Sequence, residues 1–138
     1  MASYELATNG RVEVAGVQDP NTSEIILLAE SCSPPVDLDG ESEVALSLTA
    51  SHVNFPAGEF MSVFVERSND LGVWWIDPGD PVLSITEVGP QAAQLSGVAE
   101  RYLRLHYVIA SLALLPGGGK APPTVGAYVV FDATVSTP

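Results

Sequence analysis

Four stretches of this chain carry side chains suited to chemistry. Asp37-Leu38-Asp39-Gly40-Glu41-Ser42-Glu43 places four carboxylates in seven residues. Hard cations such as Ca²⁺ take oxygen ligands on tight, glycine-containing loops. Gly40 comes too early for a calcium-loop spacing, and no helices flank it, so a solvated acidic turn is the reading adopted. Gly117-Gly118-Gly119-Lys120 has the composition of a phosphate cradle. A P-loop needs Ser or Thr after the lysine, opening a helix, whereas Ala121-Pro122-Pro123 follows here and blocks one. Cys32 is the single cysteine, and His52 and His106 are the only histidines. A nucleophilic thiol needs a base, and nothing in the spacing ties either histidine to Cys32. There is no Gly-x-Ser-x-Gly elbow, and a zinc site asks for more His or Cys than the chain holds. The sequence therefore assigns no catalytic residue, no metal ligand and no cofactor.

The fourth stretch is a set of cationic and aromatic side chains. Arg67, Arg101 and Arg104 are three of five positive charges. In so acidic a chain they are expected to pair with carboxylates such as Glu66, Asp70 or Glu100, within the subunit before across an interface. Trp74 and Trp75 are adjacent, so on a strand they face opposite sides. One is expected in the core, the other exposed or covered by a neighbour. An exposed tryptophan serves equally as a sugar platform or an interface anchor. Arg67, Trp74, Trp75, Arg101, Tyr102, Arg104 and His106 form the candidate interface set.

The elements that position these residues read as strands. The 12 Gly and 11 Pro are spread along the chain and leave no room for a long amphipathic helix. Strand signals at the same spacing predict an all-β fold, an antiparallel β-sandwich of about eight strands. They are expected near 11–17, 24–30, 43–50, 59–67, 73–77, 82–88, 101–109 and 126–135. Phe60-Met61-Ser62-Val63-Phe64-Val65-Glu66-Arg67 runs into the turn Ser68-Asn69-Asp70-Leu71-Gly72. In Arg101–Ile109, Leu103, Leu105, Tyr107 and Ile109 share one face, with Tyr102, Arg104, His106 and Val108 opposite. Ile25-Ile26-Leu27-Leu28 is continuously apolar and is expected to be buried on both sides. Turns are expected at Asp19-Pro20-Asn21-Thr22 and Asp77-Pro78-Gly79-Asp80-Pro81, and a long loop over 115–123. One domain over 1–138 is expected, with residues 1–10 as an arm outside the core.

Composition narrows the function. The 138 residues hold 17 acidic and 5 basic side chains, a net charge of −12. Nucleic acid and anionic membrane surfaces are disfavoured partners, because both require Lys and Arg. No apolar run approaches the roughly 20 residues of a spanning helix. The start, Met1-Ala2-Ser3-Tyr4-Glu5, lacks the basic and apolar regions of a signal peptide. Charged residues make up only 16%, against about 25% in ordinary soluble domains. A weakly charged, apolar surface suits a protein covered by partners.

The order of motifs resembles a known family. Glu66-Arg67-Ser68-Asn69-Asp70, then Gly72 and Trp74, then Arg101-Tyr102-Leu103-Arg104-Leu105, then Gly126-Ala127-Tyr128-Val129-Val130-Phe131-Asp132 is similar to capsid decoration or cement proteins of tailed bacteriophages. The resemblance covers roughly residues 43–135 and lies in pattern more than identity. It implies a jelly-roll fold, a homotrimer on the outer capsid surface at threefold positions, and the major capsid protein as partner. It implies a virion location, reached from the host cytoplasm, with no enzyme activity and no cofactor. Two other classes compete. A carbohydrate-binding sandwich of a phage fibre or cell-surface protein would use Trp74 or Trp75 with Tyr102 or Tyr107. A cupin-type enzyme would need several His around a metal.

Overall fold

The computed structural model describes residues 2–76, 80–113 and 115–138. Asp77-Pro78-Gly79, at the centre of one expected turn, lies outside the described residues. All regular structure among those described is β. The strands are β1 (Ala2–Glu13), β2 (Ala15–Gln18), β3 (Ile25–Leu28), β4 (Glu30–Cys32), β5 (Val36–Asp37) and β6 (Val44–Asn54). They continue as β7 (Glu59–Ser68), β8 (Trp75–Ile76), β9 (Leu83–Ile85), β10 (Gly89–Leu95), β11 (Tyr102–Ser111) and β12 (Tyr128–Thr137).

Two antiparallel sheets face each other. One has the order β1-β12-β6-β10, the other β4-β11-β7-β8, with β5 also on β11 and β9 also on β7. β4 and β5 share one strand position, as do β8 and β9, and β2–β3 form a separate hairpin. Eight positions remain, and in chain order the sheets read 1-8-3-6 and 2-7-4-5. First pairs with last, second with seventh, third with sixth, fourth with fifth. That nesting is the winding of a jelly roll. The expected sandwich of about eight strands is the one observed, with two positions split and one hairpin added.

Alternation builds the core. Leu103, Leu105, Tyr107 and Ile109 of β11 face inward, as expected, against Met61, Val63 and Val65 of β7 and Val129, Phe131, Ala133 and Val135 of β12. Rings of Tyr107 and Phe131 meet at 4.8 Å between centroids, joining the two sheets. Burial holds the Tyr107 phenol well above its ordinary pKa.

Three expectations change. Residues 2–10 are not an arm: they begin β1, which pairs with β12 from Ala2↔Thr137 onward and buries Leu6. Register breaks between Glu5 and Ala7 and between Ala7 and Gly10 disrupt the period-2 pattern there. Gly10 is required at that bulge, since a Cβ would come within 2.9 Å of the Ala7 Cβ. β10 was not expected, because Gly-Pro-Gln-Ala-Ala-Gln-Leu lacks strand formers; an edge position tolerates its Pro90. The apolar run Ile25–Leu28 is not buried on both sides. It forms the β2–β3 hairpin, with Ile25 64%, Leu28 53% and Ile26 47% exposed.

Two loops are fastened by carboxylates. The Ser68–Val73 turn closes on Asp70, whose Oδ1 accepts the N–H groups of Gly72 and Val73 at 2.8 and 2.9 Å. Those bonds, with one from the Ser68 hydroxyl, hold the Asp70 carboxyl below its ordinary 3.8. Glu59 is buried and accepts both the Thr124 N–H and the Thr124 hydroxyl at 2.7 Å, which ties down the segment leading into β12.

Candidate functional site

The outward face of the β4-β11-β7-β8 sheet gathers most of the chemistry. Antiparallel register sets Arg104 opposite Glu66 and His106 opposite Phe64. On the other flank of β11, Cys32 of β4 stands opposite His106. Direct cross-strand neighbours have Cβ atoms about 4.5–5.5 Å apart, so these side chains meet.

Glu66 is the hub. The Arg104 Nε donates to its Oε1 at 2.6 Å, and its Oε2 lies 3.3 Å from His106 Nδ1. The second imidazole nitrogen, Nε2, is 3.4 Å from Glu30 Oε2. The Glu66 side chain is only 6% exposed, whereas Glu30 is open to solvent. Trp74 lies 4.2 Å from the Arg104 guanidinium and screens it from water on one side. Phe64 flanks the imidazole at 6.3 Å between ring centroids.

Cys32 completes the group. One donor atom each from Cys32, Glu66 and His106 falls within 4.8 Å of the other two. Partial burial pushes the Cys32 thiol up, Arg104 pulls it down, and Glu66 and Glu30 push it up further. The net shift is upward, so the cluster does not make a reactive thiolate at neutral pH. A groove of about 280 Å³ runs past Cys32 between β1 and β4.

The seven residues of the candidate interface set are only partly brought together. Tyr102, Trp74, Arg104 and His106 share the outward face. Trp75 is 63% exposed at the sheet edge. The expectation that one tryptophan enters the core is corrected: Trp75 is exposed and Trp74 covers Arg104 from outside. Trp75 pairs with Arg67 in the two-residue edge strand β8, and Trp74 lies just before that strand. Arg67 has the pleat phase of Val63 and Val65, pointing to the inner side at the end of β7, with Glu100 at 3.8 Å. Arg101 lies before β11, 2.9 Å from Asp37 and over the Tyr102 ring at 5.2 Å. All three arginines meet carboxylates of their own subunit.

The remaining stretches keep their simpler readings. In the acidic stretch, Asp37 binds Arg101 and caps the Asp39 N–H at 2.9 Å, while Glu43 accepts from Ser96 at 2.9 Å. Leu38 between them is a core residue. The Gly117–Lys120 stretch forms a turn closed by Gly118 N–H to the Leu115 carbonyl at 3.0 Å. His52 is exposed on the other sheet, beside Ser51. Sequence reasoning anticipated Glu66 and Glu100 as arginine partners but missed Glu30, Cys32 and the contact of Glu66 with His106. Only the strand register, which joins residues far apart in the chain, reveals that Glu30, Cys32 and Glu66 meet His106.

No family model matches this chain. No curated protein matches it either. Several solved structures align with it at low identity. A chain in the structure of infectious bursal disease virus, Gt strain, aligns with TM-score 0.48 and 9% identity, over 97% of this chain and 30% of that one. The Clostridium thermocellum xylanase 10B CBM22-1–GH10 modules, complexed with xylohexaose, align with TM-score 0.44 and 11% identity, over 99% and 26%. FlhE aligns with TM-score 0.35 and 14% identity, over 96% and 89%. The chain thus spans less than a third of either of the first two. The jelly-roll assignment rests on strand order, not on these likenesses.

Proposed function

We propose that this protein is a non-enzymatic structural component of a bacteriophage virion. In this reading it sits on the outer capsid surface as a homotrimer at threefold positions and braces neighbouring capsomers. The observation that carries the reading is the β2–β3 hairpin. It is hydrogen-bonded into neither sheet, rests on the core through Leu27, and contains no charged residue between Ala15 and Gln18 or between Ile25 and Leu28. It presents Val17, Ile25, Ile26 and Leu28 to solvent. A two-stranded hairpin is marginal in water on its own, and an exposed apolar patch on one marks a contact surface. Total surface, 7753 Å², also exceeds the about 6,900 Å² expected for this mass. The sequence resemblance supplies the partner class, and the hairpin supplies the means of contact. Binding the intact shell but not its separated parts stabilises it by mass action, and three copies acting together turn weak contacts into one strong one.

Light scattering after size exclusion tests the first element: a species of three chains is expected. Purified Ile26→Ser/Leu28→Ser protein should fold normally, because both side chains are exposed, yet lose trimer mass or capsid occupancy. Unchanged assembly and unchanged occupancy in that variant would end this reading.

A carbohydrate-binding role draws on Trp75, whose ring is free to stack on a sugar. Its exposed neighbours Leu71, Val73 and Ile76 are apolar and offer no donors or acceptors to sugar hydroxyls, which favours protein contact. Binding on a glycan array that Trp75→Ala abolishes would reverse that preference.

A further inference from the structure

We propose that Cys32, Glu66 and His106 form a binding site for one borderline-soft divalent transition ion, of which Zn²⁺ is the type. The site stands whether or not the protein coats a capsid.

Donor chemistry selects the ion. A thiol, an imidazole and a carboxylate together suit Zn²⁺, whereas Ca²⁺ and Mg²⁺ take oxygen alone. Bond lengths near 2.0–2.3 Å place tetrahedral ligands about 3.3–3.6 Å apart. The distance from Glu66 Oε2 to His106 Nδ1 is already 3.3 Å. The Cys32 sulfur, within 4.8 Å of both partners, closes the remainder by turning about its own side chain. It is exposed on the three-residue edge strand β4, which leaves its side chain room to turn.

The surroundings are those of a held ligand set. Arg104 occupies Oε1 of Glu66 and leaves Oε2 free to face the imidazole. The far nitrogen of His106 meets Glu30, the outer carboxylate that fixes tautomer and ring orientation in many zinc sites. Binding converts Cys–SH and the ion into a Cys–S–metal bond and a released proton, so affinity falls as pH falls. Three protein ligands leave one coordination position for water or an outside donor.

The test uses the full chain, reduced and stripped of metal by a chelator. Cobalt(II) added to it should develop a thiolate-to-cobalt charge-transfer band and tetrahedral d–d bands, saturating at one ion per chain, and Zn²⁺ should displace it. At Zn²⁺ a hundred times its Kd the unfolding midpoint should rise by about 8 °C. Cys32→Ser should abolish the charge-transfer band and the zinc-induced rise. Glu30→Gln should keep the band and weaken binding by about 10–100-fold. His52→Gln, altered at the exposed histidine of the other sheet, should behave as wild type. Absence of the band in the wild-type protein overturns the proposal, as does an unchanged zinc affinity in Cys32→Ser or a loss of binding in His52→Gln.

Discussion

Replacing Arg104 by methionine should destabilise the subunit by about 2–4 kcal/mol. The Arg104–Glu66 bond is short, 2.6 Å, and its acceptor is nearly sealed from water. Hydrogen bonds to charged groups contribute about 1.5–3 kcal/mol. The stacking of the guanidinium on Trp74 adds about 0.5–1 kcal/mol, at the low end because Arg104 keeps some solvent contact. Methionine retains the apolar stem against the indole, so the loss is electrostatic. Urea unfolding at neutral pH reads it as a midpoint lowered by about 1–2 M, with the slope unchanged. The double variant Arg104→Met/Glu66→Met is the decisive control. Removing one partner strands a buried carboxylate, with only His106 beside it, whereas removing both leaves no charge to strand. The double variant should therefore be more stable than Arg104→Met alone. A single-variant loss below about 0.5 kcal/mol would put the pair in the class of exposed ion pairs and refute the reasoning. So would a double variant less stable than the single.

Three further outcomes are expected. Leu105→Asp should fail to fold, because Leu105 has no exposed surface and a carboxylate there has no partner; a wild-type near-ultraviolet circular dichroism spectrum and melting curve would show the face assignment wrong. Glu59→Ala should lose about 1–3 kcal/mol, since it removes the shared acceptor of two Thr124 donors, and hydrogen exchange at the Thr124 amide should quicken; Glu59→Gln, which keeps an acceptor, should lose less. Asp70 has a depressed folded pKa, so its stabilisation is complete above the ordinary 3.8 and is lost as pH falls through the folded value. Asp70→Ala should accordingly melt below wild type at neutral pH and converge with it in acid; a gap that persists unchanged at acid pH would contradict the turn's charge-based account.

Fold legibility followed periodicity. The alternations in Val44–Thr49 and Arg101–Ile109 gave β6 and β11 their faces, because one side of each meets the core and the other meets water. β1 escaped notice where its bulges interrupt that alternation, and β10 because an edge strand can be made of alanine and glutamine. Ile25–Leu28 was misread for a different reason. An unbroken apolar run signals burial, and burial can be supplied by something other than the subunit's own core. The cluster around His106 was half legible. The face shared by Arg104 and His106 follows from spacing, but their meeting with Glu66 on one side and Cys32 on the other depends on register, which no single strand encodes.

The bulges of β1 have a consequence for crowding. A long strand at the open flank of a sheet is a template on which another chain can add its own backbone, and repeated addition ends in insoluble fibres. Here the flank is formed by β1, whose ladder loses register twice between Glu5 and Gly10, while the opposite flank is β10, where Pro90 lacks a backbone donor. Neither flank offers an uninterrupted row of backbone groups. On this sheet, therefore, backbone addition by another copy is hindered at both flanks.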